Sequence, residues 1–488
     1  MKMNKNIFIL MGLIGAISIT GCTKDFGDLN TNPNEPTAVS TGFLLTNAQK
    51  SIMDRTNNSF WGSRRGMQLS QYWSSNQYSN ESRYQLRTEV TNSAWNDYYA
   101  GALQNLQNII DQNTGDNAGD VAGYGANENQ IAVATILQVW IYQQLTDAFG
   151  AIPMTEALQG SANTTPTYDS QSSVYASLLS NLDNALTSMD ASAMGPQGDQ
   201  IYGGDMNAWA AFANSLKLRV AMRMSDVDAG TAQGAAEAAA AAGCITSNAG
   251  NALFGYLSGA PNNNPINEDK KTRNDFAASN TMIDHMTATV DPRMSIYYAA
   301  SAADGVFVGE VYGLDETNAA LTPDDAVSQR GAAVLAADFP GIFMDAAQVN
   351  FLLAEGAARG WSMGGSDADY FAAANAASME FWGVEQADAD AYAAANTYNA
   401  CNWKNSIGTA KWVALYMQGQ EGWAEVRRLD APTLNACADG QLDGGDGVPT
   451  RMMYPLDEQS LNGLSWGDGV TANGGGDSQQ TKLWWDVN

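Results

Sequence analysis

Residues 131–158 read IAVATILQVWIYQQLTDAFGAIPMTEAL. Large apolar side chains at Val133, Leu137, Trp140, Ile141 and Leu145 recur at the three-to-four spacing of one helix face. Phe149 closes the run, Gly150 supplies a stop and Pro153 prevents continuation. After a polar loop, Tyr168 to Met189 repeats the rhythm at Val174, Leu178, Leu182, Ala185 and Met189. Two helices joined by a short Gly/Pro break form a helical hairpin. One hairpin cannot bury its apolar face alone, so neighbours of the same kind are expected.

The rest of the chain supplies them. Helices are expected over 41–55, 94–112, 207–224, 232–242 and 281–289, with a second hairpin from 344–359 and 367–382. A helix is expected from about 60 to 72, and a last long one over 406–428. Residues 306–312 read as a short strand, and 248–340 and 430–488 read as loop-rich subregions. No alternation of strands and helices occurs, so a parallel sheet is not expected. The fold class is all-α, mainly helical, with helical hairpins, an irregular part and minor short strands. Its body is read as one domain over 41–488.

The first residues, MKMNKNIFILMGLIGAISITGC, combine Lys2 and Lys5 with an apolar run over 7–19 that is too short to span a bilayer. Residues 1–21 therefore read as a secretory signal. Cys22, after Ile-Thr-Gly, is the expected lipidation site, resembling a bacterial lipobox. Residues 22–40 read as a tether and extended strap, in which DLNTNPNEPT is rich in Asn and Pro.

The 488 residues hold 24 Lys and Arg against 52 Asp and Glu, a formal charge of −28. This charge opposes nucleic acid and anionic lipid head groups as partners. Membrane attachment is expected through the lipid alone.

Chemistry is sparse. His285 is the one histidine, which argues against a Ser-His-Asp or Cys-His machine and most metal sites. Gly360-Trp361-Ser362-Met363-Gly364 matches a nucleophile elbow, but a helix precedes it instead of a strand, so it reads as a turn. Asp439–Gly444 begins like a calcium loop, but Thr450 stands where a glutamate ligand belongs; it reads as a solvated acidic turn. No metal site and no cofactor are expected. Cys401 and Cys437 are the nearer pair of the remaining cysteines, and a disulfide is expected between them in an exported chain.

The stretch around 73–84 is the candidate ligand site: Trp73, Asn76, Gln77, Tyr78, Arg83 and Tyr84. Aromatic faces pack on the C–H face of a sugar, while amides and a guanidinium hydrogen-bond its hydroxyls. The other reading, aromatics that cover helix ends as core, stays open. Trp140, Trp209, Trp412 and Trp423 lie at helical spacing and read as core.

In order and spacing, several stretches together resemble the SusD/RagB-like outer-membrane nutrient-binding lipoproteins. They are the lipobox with DLNTNPNEPT, VWIYQQLTDAFGAIPMTEAL, FANSLKLRVAMRM, DPRMSIYY, VNFLLAEGAARGW, IGTAKWVALYMQGQEGWAEVRRLDAPTL and RMMYP. The resemblance implies tetratricopeptide-like hairpins and a non-enzymatic surface binder at the outer membrane of a Gram-negative bacterium. It also implies an oligosaccharide ligand and a SusC-like TonB-dependent transporter as partner. Only the 73–84 segment is carried over as a ligand region. Arg427 and Arg428 are read as ion-pair or helix-end residues. A peptide-binding member, a tethered carboxylate-dependent glycoside hydrolase and a helical-repeat scaffold are the competing readings.

Overall fold

The computed structural model describes residues 39–487. The signal at 1–21, Cys22 and nearly all of the 22–40 tether lie outside the described residues. The helices begin where short polar side chains can take up the free N–H groups of a first turn. Asp205 accepts from Asn207 N and Ala208 N, Ser170 from Ser173 N, Asp345 from Gln348 N and Ser366 from Asp369 N. Each starts a principal helix.

The α-helices of nine residues or more are α1 (Thr41–Thr56), α2 (Thr88–Asn96), α3 (Gln104–Thr114), α4 (Asn127–Phe149) and α5 (Gln171–Ser188). They continue with α6 (Met206–Arg223), α7 (Ala229–Ala242), α8 (Asn280–Ala288), α9 (Ala346–Ala358) and α10 (Asp367–Phe381). The last four are α11 (Gln386–Ala395), α12 (Trp403–Ala414), α13 (Gly419–Leu429) and α14 (Gly463–Ala472). The hairpins α4/α5, α6/α7 and α9/α10 stack through α5 on α6 and α6 on α9, with α1 and α3 extending the row on α4. Gly360 and Gly364, at φ +84° and +87°, form the turn between α9 and α10, so the elbow-like GWSMG is a connector. Among the described residues no helix is long and apolar enough to cross a membrane.

The apolar stripes meet in one large core, where Val133, Leu137, Ile141, Leu145, Leu178, Leu182, Phe212 and Leu216 are buried. Trp140, Trp209, Trp412 and Trp423 are buried as expected. A second apolar cluster lies under the irregular part, around Trp73, Phe276, Tyr297, Tyr298, Trp412 and Tyr416. Three antiparallel two-stranded sheets serve it: β1 (Trp73–Ser75) with β3 (Phe276–Ala278), β2 (Ala252–Phe254) with β6 (Gly341–Met344), and β4 (Tyr298–Ala299) with β5 (Gln329–Arg330).

The structure departs from the periodicity at several places. The helix expected at 60–72 is a π-helix, Ser59–Met67, and another π turn, Asp97–Leu103, joins α2 to α3. The strand expected at 306–312 reduces to one parallel bridge, Ser279 to Glu310. The 430–488 tail contains α14, and α11 follows α10 where nothing helical was expected.

The helix expected over 406–428 breaks between Ala414 and Gly419, where Met417 turns to φ +71°. The break lets Gly419 meet Gly66 of the π-helix backbone to backbone. A Cβ on Gly419 would lie 2.4 Å from Gly66 C and 2.5 Å from Met67 N. Gly419→Ala should therefore push the two helices apart and destabilise the protein by about 1–3 kcal/mol, read as a lower denaturant midpoint.

Charged residues from distant stretches meet inside this frame. Asp147 of α4, Arg219 and Arg223 of α6, Glu355 of α9, Lys411 of α12, and Glu421, Glu425 and Arg428 of α13 are all buried. Arg223 binds Asp147 (3.1 Å), Glu421 (2.6 Å) and Glu425, and Lys411 binds Glu425 at 2.7 Å. Arg428 bridges Glu355 and Glu425. Arg427 stacks on Trp423, 3.5 Å from the ring centroid, and donates to the carbonyls of Thr450 and Asp147. Both arginines are thus structural.

The expected disulfide is absent. Cys401 and Cys437 are free thiols, one exposed on a 3₁₀ turn and one buried. Cys437 packs under Gly313 and donates its S–H to Ser82 O, while Cys401 N–H donates to its neighbour Asn399. Each is committed to different surroundings.

Candidate functional site

The 73–84 segment leaves the π-helix through Gln71, whose backbone is left-handed at φ +54°. Tyr78 and Tyr84 repeat that conformation at +54° and +67°. Such conformations cost of order 1–3 kcal/mol each in non-glycine residues and persist where surroundings enforce them. Here Glu316 enforces the second: its carboxylate accepts from Tyr78 N at 3.2 Å and Ser79 N at 3.0 Å. The loop tip is thereby fixed with the Tyr78 ring 53 % exposed. Two guanidiniums lie over that ring, Arg64 at 5.6 Å and Arg273 at 5.2 Å from the centroid.

The arginine beneath is itself anchored. Arg64 binds Asp275 at 2.8 Å and lies 3.5 Å from Glu81. Burial alone would raise the Glu81 carboxyl, but Arg65, Arg87 and Arg64 pull it below its ordinary range. Burial lowers Arg64 against the same two carboxylates. The ionised pair therefore forms a rigid charged seat under an exposed ring.

The six expected ligand residues part company. Gln77 and Tyr78 come together at the surface, both exposed, while Asn76 is buried beneath them and its amide donates to Asp324 at 2.8 Å. Trp73 and Tyr84 are corrected to core. Trp73 is 0 % exposed, paired with Ala278 across the β1–β3 sheet, and its Nε1 donates to Tyr416 Oη at 3.0 Å. Tyr84 is buried against Tyr312. Neither offers a free ring face. Arg83 turns to the protein, donating to the carbonyls of Gly440 (2.8 Å) and Asp439 (2.7 Å). It braces the acidic turn 439–444, whose Asp439 carboxylate accepts from Asp315 N and Asn318 Nδ2.

Sequence reasoning missed what completes the rim. Arg273 and Asn274 come from the polar loop before β3, Glu316 from the short helix Glu316–Ala319 and Asp324 from the loop between it and β5. Asn274 Nδ2 and Asn76 Nδ2 take the two oxygens of Asp324. The only local signal was the Asn- and Lys-rich composition of 262–275. Other hollows exist; one, about 410 Å³ between α10 and α11, is lined by Phe371, Met379, Tyr392 and Tyr398 with several alanines. His285 is half-buried with its ring edge-on to Trp412, and burial lowers its basicity.

Fold and site together define a class: stacked helical hairpins carrying an irregular rim with a preset tyrosine. The chain belongs to the SusD-like family described as starch-binding and associating with the outer membrane, whose model matches residues 33–455. Among solved structures it is similar to a chitin-binding protein, with 28 % identity, TM-score 0.81, and 92 % of this chain and 100 % of that one covered. A chitin-binding SusD homologue from Flavobacterium johnsoniae is 25 % identical over 92 % of this chain and 98 % of its own, TM-score 0.78. A SusD homologue from Bacteroides ovatus gives 25 %, 92 %, 99 % and 0.78 in the same measures. Among curated proteins, none matches the chain.

Proposed function

We propose that this protein is a cell-surface glycan-binding lipoprotein. It captures oligosaccharides at the Tyr78 rim and passes them to a SusC-like TonB-dependent outer-membrane transporter. The carrying observation is the Tyr78 ring, exposed and conformationally preset, with the exposed Gln77 next to it in the loop and Arg273 over its face. A flat ring fixed before binding loses little entropy when a sugar stacks on it, and the exposed Gln77 amide beside it can match a hydroxyl. Similarity to two chitin-binding proteins makes a chitooligosaccharide the first ligand to test. The lipid at Cys22 would hold the body at the membrane.

Binding without cleavage fits the carboxylates near the rim. Glycoside hydrolysis needs an acid and a second carboxylate flanking the scissile bond. Glu310 is the raised carboxyl nearest that description, pushed to about 7 by burial and by Asp324. Its side chain is 1 % exposed, which keeps it from a glycosidic oxygen.

Titration calorimetry with chitooligosaccharides, maltooligosaccharides and peptides tests the reading. One of the glycans should bind and be recovered intact. Tyr78→Ala should weaken it about ten-fold, about 1.4 kcal/mol, with little change in melting temperature. Binding of peptide alone, or release of new reducing ends, would refute it.

A further inference from the structure

A second exposed ring is backed by a guanidinium. Phe60 is 45 % exposed, and Arg87 Cζ lies 5.6 Å from its centroid, the same separation as Arg64 from Tyr78. The two cations share one buried partner: Glu81 Oε2 takes Arg87 Nη2 at 2.8 Å and lies 3.5 Å from Arg64 Nε. The Phe60 backbone is fixed as well. It lies in the first turn of the π-helix Ser59–Met67, where Asn58 Oδ1 accepts from Phe60 N at 2.9 Å and Trp61 N at 2.7 Å.

Phe60 borders a hollow of about 390 Å³, lined also by Arg55, Arg87, Glu89 and Ser93. Arg55 lines a neighbouring hollow of about 700 Å³ as well, with Asn58, Asn96 and Asp97. The two hollows therefore lie side by side at that residue. Both π-helical segments described above border them, the first through Phe60 and the second, Asp97–Leu103, through Asp97 and Gly101. Such turns are rare and recur at functional sites. The charges here are largely spent. Arg55 is paired with Asp97 and donates to Ser93 Oγ at 3.0 Å, Arg87 is paired with Glu81, and Asp54 is paired with Lys50 and accepts from Tyr256 Oη at 3.0 Å. Glu89 adds a negative charge at the Phe60 end, which opposes phosphate, sulfate and carboxylate ligands. An apolar ring face beside amides, a hydroxyl and paired ions suits a neutral, polyhydroxylated ligand.

We propose that Phe60 and the groove along Arg55 form a second site for a neutral saccharide, distinct from the Tyr78 rim. One sugar stacks its C–H face on Phe60 and turns its hydroxyls to Ser93 and Arg87. The next unit lies along Arg55 beside Asn58 and Asn96. Ser93 Oγ already accepts from Arg55, so its own O–H is left to donate. Two sites on one tethered chain hold a polysaccharide more firmly than either does alone. The class of ligand rests on the glycan reading above; the existence of this second site does not depend on Tyr78.

The test therefore removes Tyr78 first. Tyr78→Ala is given chitotriose and maltotriose, each at about 10 mM, enough to fill a site with a dissociation constant of about 1 mM. Saturation-transfer NMR should still detect one of the sugars on the protein, and amide exchange should slow at 58–60 and 93–97. Adding Phe60→Ala should abolish both signals and leave the melting temperature within about a degree of Tyr78→Ala, since the side chain removed lies at the surface. Loss of all saccharide contact in Tyr78→Ala would overturn the second site and leave the rim reading standing. Contact that survives the added Phe60→Ala would place the sugar elsewhere and overturn it equally. A wild-type protein silent to both sugars would overturn this site and the rim together.

Discussion

Arg428→Met is expected to lower the unfolding free energy by about 3–5 kcal/mol, the loss usual when one partner of a buried ion pair is removed. Arg428 donates to Glu355 at 2.6 Å, to Glu425 at 2.7 Å and to the carbonyl of Met222 at 3.2 Å. Methionine fills the volume and leaves two buried carboxylates facing each other with less compensation. Urea midpoints at neutral pH check this. The same network sets a pH dependence. Burial would raise Glu355, Glu421 and Glu425, but Arg428, Arg223 and Lys411 hold all three below the ordinary glutamate value of 4.5. Groups with lowered folded values contribute stability that is complete above the unfolded value and lost as pH falls through the folded one. Wild-type stability should therefore fall steeply on acidification below about pH 4.5, and Arg428→Met should flatten that fall. Asp147 works the other way: burial outweighs Arg223 and raises it, so its ionised form weakens the network.

Trp73→Ala should cost about 3–5 kcal/mol, the range for deleting a buried large aromatic. The ring lies against Phe276 at 5.7 Å and under Arg330 at 5.4 Å, and its Nε1 bond to Tyr416 would be lost. The contrast with Tyr78→Ala is diagnostic. Five residues apart, one should lower stability and the other should lower only sugar affinity, when unfolding and calorimetry are measured on both. A Trp73→Ala protein with wild-type stability would contradict the placement of that ring in the core.

These two variants show where sequence was readable. The hairpins announced themselves because Val133 to Leu145 and Val174 to Ala185 keep a helical period over more than three turns, with Ser170 and Asp205 capping their starts or neighbours. Trp73 did not, because β1 is three residues long and buried at all of them, which leaves no alternation to detect. Tyr84 sits in polar company in sequence, yet its neighbours in space are Tyr312 and Cys437. Tyr78 was legible as a loop aromatic. Its partners Arg273 and Glu316 were not, since each lies some two hundred residues on and is brought back only by β3 and the loops around it.

The break at Met417 escaped for a similar reason. The stretch 406–428 keeps helical spacing throughout, and only the approach of Gly419 to Gly66 shows why it cannot stay straight. The charged network was half visible. Arg427 and Arg428 read as structural, but that LTDAF, LKLRVAMR, LLAEG and EGWAEVRR converge on one buried cluster is a property of the packing.

Amide hydrogen exchange with and without a saturating oligosaccharide tests most directly whether sugar is held at the Tyr78 rim. Slowed exchange is predicted in residues 76–79 and 272–275 and around Glu316, with the groove between α10 and α11 unchanged. Protection confined to that groove, with the 76–79 loop exchanging as in the free protein, would contradict it.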